Sequence, residues 1–372
     1  MNEPVRLVGF AAGLAIVAVT AASVFTTLVI PRTTSSRLLR SISKILAKVL
    51  RPILRHLPSY AAKDRVMALV GPLGLVLLFV SWLALLVLGF GLTIWWGSRS
   101  PLDSALAVSG SSVFTLGVAA QRVGSSETLE FIAGGMGLLV IALEIAYLPT
   151  LYTAFSNREI EVTLLATRAG TPAWGPEILT RHQRFGTVSE LPELYVTWER
   201  WAAAVSETHT SYPSLLWFRS PNPSRSWLLA LLAMLDAAAL HDSVCPSSAP
   251  RQARICLAMG TNCLRSLAQA LHIEYDPDPL PTMPVRLTEE EFSAGLERMA
   301  QVNFPLERTP EEAWRHFRGW RINYESIADA LTHLIVPPPA PWLPSRPELG
   351  DPSWPRVLNR TPDDPEPGAF LA

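Results

Sequence analysis

"SSVFTLGVAA", residues 111–120, lies between two long apolar runs. A bilayer core of about 30 Å takes roughly 20 helical residues, so this stretch is too short to cross one. It is also too apolar for an ordinary surface loop. It follows "PLDSALAVSG", residues 101–110. There Ser100 is a candidate N-cap, Pro101 suits a helix start and Asp103 falls in the first turn. Ala105, Leu106, Val108, Val113 and Phe114 predict a helix of about 14 residues, half a bilayer by its rise. A half-length helix, a Thr-x-Gly turn and a return to the same side make a re-entrant loop over 100–121. Non-helical backbone survives at membrane depth only where it is buried in protein or lines water. "FTLGVAA" is therefore expected to line or plug something.

Three apolar stretches around this loop are long enough to span. They are "LVGFAAGLAIVAVTAASVFTTLVI" (7–30), "VMALVGPLGLVLLFVSWLALLVLGFGLTIWW" (66–96) and "LEFIAGGMGLLVIALEIAYLPTLYTAF" (129–155). The first exceeds a secretory h-region, has only Arg6 before it and ends in "VIPRTT" without a small-residue cleavage site, so an uncleaved span is expected. The second is longer than needed, which predicts tilt or an interfacial start, and Trp95 and Trp96 close it as an interfacial pair.

The net charge of −1 gives no case for nucleic-acid binding, but it hides a local asymmetry. Between Pro31 and Val66 stand nine basic residues against one acid, Asp64. By the positive-inside rule that loop is cytoplasmic. The N-terminus is then outside, 97–128 faces outside, and everything after Asn157 is cytoplasmic in a multi-pass plasma-membrane protein. Within the loop, Arg37, Arg40, Lys44, Lys48, Arg51 and Arg55 recur at helical spacing opposite Leu38, Ile42, Ile45, Leu46, Val49 and Ile53. Such a basic amphipathic helix suits anionic lipid heads; packing on a cytoplasmic domain is the other reading.

The order outer helix, short helix, loop, inner helix resembles the pore domain of potassium channels. "SGSSVFTLG" stands where those channels carry a Ser/Thr-rich pore helix leading into T-x-G-Y/F-G-D. On that alignment Thr115, Leu116 and Gly117 match the first filter positions, whereas Val118 replaces the aromatic, Ala119 the second glycine and Ala120 the aspartate. The likeness covers roughly residues 66–157. The layout, with "PTLYTAFSNREIEV" and "WRHFRGWRINYE", is also similar to bacterial membrane proteins described only as potassium-channel-like or ion-channel-like. The resemblance implies a homo-oligomer, a tetramer, passing monovalent cations. The departures imply poor potassium selectivity, because alanine adopts positive φ badly and the stacked carbonyl rings of a filter depend on it.

Glu144 lies in the middle of the third span. An ionisable residue there is expected to face the bundle interior or a water cavity, and on the channel resemblance it lines the cavity below the filter. The bland reading is a protonated carboxyl bonded to a neighbour through Thr150 or Tyr147. Gly134, Gly135 and Gly137 suit a close crossing or hinge, and Pro149 can kink the helix.

From Arg158 onward the chain turns polar and helix-forming. Gly170 is a natural stop. "SWLLALLAMLDAAAL" (226–240) is apolar but short and contains Asp236, which predicts a buried core helix. Thr288 with Glu291 forms a capping box, and Thr309 precedes Pro310 at a helix start. No strand pattern or repeat stands out. The scattered histidines make no metal spacing, and no P-loop, G-x-S-x-G or G-x-G-x-x-G motif appears, so no enzyme, metal or cofactor is expected. Asp276 and Asp278 read as solvated loop acids, and Trp314, Phe317, Trp320 and Tyr324 as core anchors. Cys245, Cys256 and Cys263 are odd in number and lack C-x-x-C spacing, consistent with reduced thiols. The Pro-rich end beyond Val336 reads as an extended tail, with Trp342 and Trp354 as anchors if it docks.

The expected whole is an all-α integral membrane protein. Residues 1–30 form the first span, 31–65 a basic cytoplasmic loop, 66–156 a pore-like domain, 157–335 a helical cytoplasmic domain and 336–372 a tail. Its expected function is weakly selective cation conduction; the alternative is a non-conducting scaffold or sensor that retains the architecture.

Overall fold

The computed structural model describes residues 3–30, 37–98, 101–119, 127–343, 358–361 and 364–369. Twelve α-helices account for most of them. In chain order they are α1 (Glu3–Leu28), α2 (Arg37–Arg55), α3 (Tyr60–Met67), α4 (Val70–Gly97), α5 (Leu102–Val113), α6 (Glu127–Ala169), α7 (Gly175–Phe185), α8 (Leu191–Ser211), α9 (Trp227–Val244), α10 (Arg251–Leu271), α11 (Glu289–Ala300) and α12 (Pro310–Ile335). In the tail, where no strand pattern was expected, β1 (Leu358–Thr361) pairs antiparallel with β2 (Asp364–Ala369). Four helical stretches are long and apolar enough to cross a membrane: α1, the run Tyr60–Gly97, α6 and α9.

The chain divides into two compact units, residues 1–56 with 68–154, and residues 57–67 with 155–372. In the first, α1 packs along α4, and α2 and α5 also pack on α4. The crossing of α1 and α4 is glycine to glycine: a Cβ on Gly13 would lie 2.6 Å from the Gly89 carbonyl oxygen. Small residues allow two backbones to approach this closely. Trp82, fully buried, donates its indole N–H to Ser23 Oγ at 3.1 Å. Arg6 donates to the Ser98 carbonyl at 2.6 Å and lies over the Trp95 ring, which ties the start of α1 to the end of α4.

The second unit is built around α9. Every residue of this helix is buried, and α7, α8, α10 and α12 surround it. Its acid Asp236 takes hydrogen bonds from Arg321 at 2.8 Å and the Tyr324 hydroxyl at 2.7 Å, because a buried carboxylate is costly without partners. Both predicted helix starts carry full capping boxes, Thr288 with Glu291 and Thr309 with Glu312. Gly170 follows the last residue of α6 at φ 79°. Phe317 and Tyr324 are buried, and Trp314 and Trp320 pack against the same core. Trp342 docks against Phe292, Phe317 and Trp174, and its indole donates to the Glu291 carbonyl. Trp354 lies outside the described residues.

Candidate functional site

Helix α5 is seated through small and hydroxyl side chains. Ser109 Oγ donates to the Val87 carbonyl at 2.8 Å, Ala105 and Val108 pack with Ile94 and Trp95, and Leu106 lies over Gly91. The helix is shorter than its sequence suggests. It starts at Leu102 with Pro101 in the cap position, and Ser100 lies outside the described residues. Its far end meets α6: a Cβ on Gly137 would lie 2.0 Å from the Val113 carbonyl oxygen, and one on Gly134 3.3 Å from that of Ser112. Gly135, by contrast, faces open space. Of the expected glycines, Gly137 makes the closest approach.

The backbone after α5 closes back on the helix. Thr115 N–H donates to the Ser112 carbonyl at 2.9 Å and Leu116 N–H to that of Ser111 at 2.8 Å. With Thr115 at φ 53°, this is the six-to-one and five-to-two pattern of a helix C-cap. Gly117 is also left-handed, at φ 66°, and Ala119 N–H donates to Ser111 Oγ at 3.1 Å. Thr115, Leu116, Gly117 and Val118 are exposed and Ala119 half-buried, while Ala120 lies outside the described residues.

Beside this turn is an open recess of about 380 Å³, lined by Ser111, Ser112, Thr115, Gly117, Ala119, Glu127, Glu130 and Phe131. Sequence reasoning missed Glu127 and Glu130. Their signal was two acids three apart in the first turn of α6, hence on one side of the helix. Hydroxyls and two carboxylates line the recess; the ends of α5 and α6 that meet it carry helix dipoles of opposite sign, so its negative charge comes from Glu127 and Glu130.

Glu144 does not line the recess. It is 8% exposed and lies on the buried seam of α6 with Ala133, Gly137, Val140, Tyr147 and Leu151. Its Oε1 has no hydrogen-bond partner among the described residues. Thr150 donates to the Tyr147 carbonyl at 2.7 Å instead, and the Tyr147 ring meets Phe79 edge-on. Pro149 is accommodated inside α6 on its exposed side.

Helix α2 is strongly amphipathic, but its apolar residues divide. Leu46 is buried and Ile42 packs on the first unit's core, whereas Ile45, Val49 and Ile53, one turn apart, are 63%, 56% and 47% exposed. Lys48 is exposed. The side chains of Arg37, Arg40, Lys44, Arg51 and Arg55 lie outside the described residues.

In the second unit no group of three or more His, Cys, Asp or Glu side chains is placed to hold a metal among the described residues. Asp276 accepts the Asp278 N–H in an exposed turn. All three cysteines are free and buried. Burial pushes the Cys256 and Cys263 thiols up to about 12, so neither is a thiolate at neutral pH. No family model, curated protein or solved structure matches the chain.

Proposed function

We propose that the chain is one subunit of a homo-oligomeric, potassium-channel-like membrane protein that passes monovalent cations weakly and with little potassium preference. The observation that carries this reading is the placement of α5 and its turn. A half-length helix between α4 and α6 ends in two left-handed residues, Thr115 and Gly117, beside a recess bearing Glu127 and Glu130. In a bilayer, exposed backbone of this kind needs confined water or another subunit. The uncovered apolar flanks of α1 and α6 supply the lipid and subunit surfaces, and four copies close the pore.

In this reading α1, α4 and α6 span the plasma membrane with the N-terminus outside, and the second unit is cytoplasmic. Helix α2 lies at the inner surface, its stripe Ile45, Val49 and Ile53 in the acyl boundary and its basic residues on anionic heads. Glu144 places an ionisable carboxyl within the inner-helix bundle. Helix α9 belongs to the core of the second unit, since all its residues are covered by protein.

A second reading has its own support. The cap hydrogen bonds of Thr115 and Leu116 use the Ser112 and Ser111 carbonyls within the subunit, and Val118 and Ala119 lack the aromatic and glycine of a potassium filter. That favours a non-conducting scaffold or sensor with the same architecture. Flux of sodium, potassium and chloride into proteoliposomes separates the two. The pore reading predicts slow cation flux over chloride, reduced by Glu144→Gln. Absence of flux supports the scaffold, and strong potassium selectivity contradicts both. Single cysteines at Glu3 and Ser43 test topology: labelling from outside intact cells should reach the first and not the second.

A further inference from the structure

Asp64 is the one acid in the basic stretch between α1 and α4. It lies in α3, buried, within the second unit. Its partner is 155 residues away. Arg219, in the extended segment before α9, donates Nε to Asp64 Oδ1. The same guanidinium donates Nη2 to the Tyr60 hydroxyl, Nη1 to the Ile335 carbonyl at 2.6 Å and Nη2 to the Val336 carbonyl at 2.9 Å. The Tyr60 hydroxyl, with one proton to give, lies 3.4 Å from Asp64 Oδ1 and 3.2 Å from the Val336 carbonyl and can donate to either. Arg219 and Asp64 are about nine-tenths buried, at 10% and 8% side-chain exposure.

One planar fork thus joins α3, the approach to α9 and the C-terminus of α12. The carbonyls it takes are those a helix leaves unsatisfied at its end, and Val336 sits there at φ 51°, a strained conformation for a β-branched residue. Only arginine has donors enough, in one plane, to hold all three at once. Helix α3 is followed after Ala68 and Leu69 by α4, so whatever holds α3 holds the lead into α4.

We infer that Arg219 is a coupling joint. It locks α3 to the end of α12, so that movement of the C-terminal helical unit is passed to the start of α4, and opening the joint frees that lead. The joint stands independently of whether the protein conducts; only a flux readout rests on the pore reading.

Hydrogen exchange of the full chain in nanodiscs tests this. Arg219→Gln should raise exchange about tenfold or more across residues 60–67 and 333–337 together, with α9 unchanged. Tyr60→Phe, which removes one oxygen, should raise the same two segments by a smaller factor. The swap Asp64→Arg with Arg219→Asp should recover protection in α3 relative to either single change. Unchanged exchange in residues 60–67 would overturn the joint. So would a uniform rise that includes α9, because Arg219 would then be a general support of the fold. If the joint passes movement to the pore, Arg219→Gln also alters cation flux. A wild-type protein without flux, with the exchange pattern as described, would refute the pore and leave the joint.

Discussion

Helices α6 and α9 both qualify as membrane spans by length and hydropathy, yet they are covered differently. All of the most apolar 18 residues of α9 are buried within the chain, against 22% in α6. The α6 residues left uncovered are large: Phe131 is 82% exposed, Leu138 63% and Ile145 67%. A helix that is apolar all round must be covered by something. For α9 the cover is α7, α8, α10 and α12. For α6 the described residues provide cover on one seam, and the proposed reading assigns the rest to lipid or a second subunit. Hydropathy alone does not separate a core helix from a span; the polar residues do. Asp236, His241 and Asp242 in α9 each have a hydrogen-bond partner from another element, whereas Glu144 Oε1 has none among the described residues.

The largest effect should come from placing a charge on each helix. Leu235, fully buried in α9, replaced by Asp should abolish folding of the second unit, seen as loss of protease resistance, with membrane insertion intact. Leu138→Asp on α6 should leave that unit folded and weaken insertion of its helix by about 3 kcal/mol, read in a glycosylation-based insertion assay. The comparison breaks if the two substitutions act alike.

A smaller effect separates neighbours on α6. Gly137→Ala forces a Cβ into the Val113 backbone and should destabilise the seat of α5 by about 1–3 kcal/mol. Gly135→Ala, which meets nothing within 4 Å, should be close to neutral in the same thermal-melting measurement.

Smallest is the effect of acid, and it should fall on the second unit. Arg158 can only donate, and its Nη1 lies 3.0 Å from His209 Nε2, so that nitrogen is the acceptor of a neutral ring. Burial, then Arg158, holds His209 well below the ordinary histidine range, and burial lowers His182 as well. A base depressed in the fold contributes stability that is complete above its unfolded value near 6.5 and is lost as pH falls below it. Between pH 6.5 and 5 the loss from His209 should be on the order of 1–2 kcal/mol. In the first unit His56 is the one histidine of the sequence, and it is exposed. Chemical denaturation followed by tryptophan fluorescence from the second unit checks this. A stability flat across that range would contradict the neutral His209.

Elements with local signals were legible. The caps at Thr288 and Thr309, the stop at Gly170, the α2 boundaries and the core nature of α9 all follow from residues within one or two turns. Helix α7 carries no sequence prediction, since Pro172, Gly175 and Pro176 break up the pattern where it begins, and α3 has none because its eight residues fall within the basic stretch. The turn at Thr115 was read only as filter-like. Its C-cap role has no local signature, since a left-handed C-cap normally advertises itself by glycine. The Arg219–Asp64 pair was out of reach because its partners are 155 residues apart, and side-chain pairing across that distance leaves no periodicity to read.

The central claim is that α6 and the turn after α5 are completed by other copies of the chain. The mass of the detergent-solubilised particle tests it most directly, by light scattering or native mass spectrometry. The account predicts a stable assembly of four 40.8 kDa chains. A strictly monomeric particle would contradict it, because one turn cannot enclose a pore.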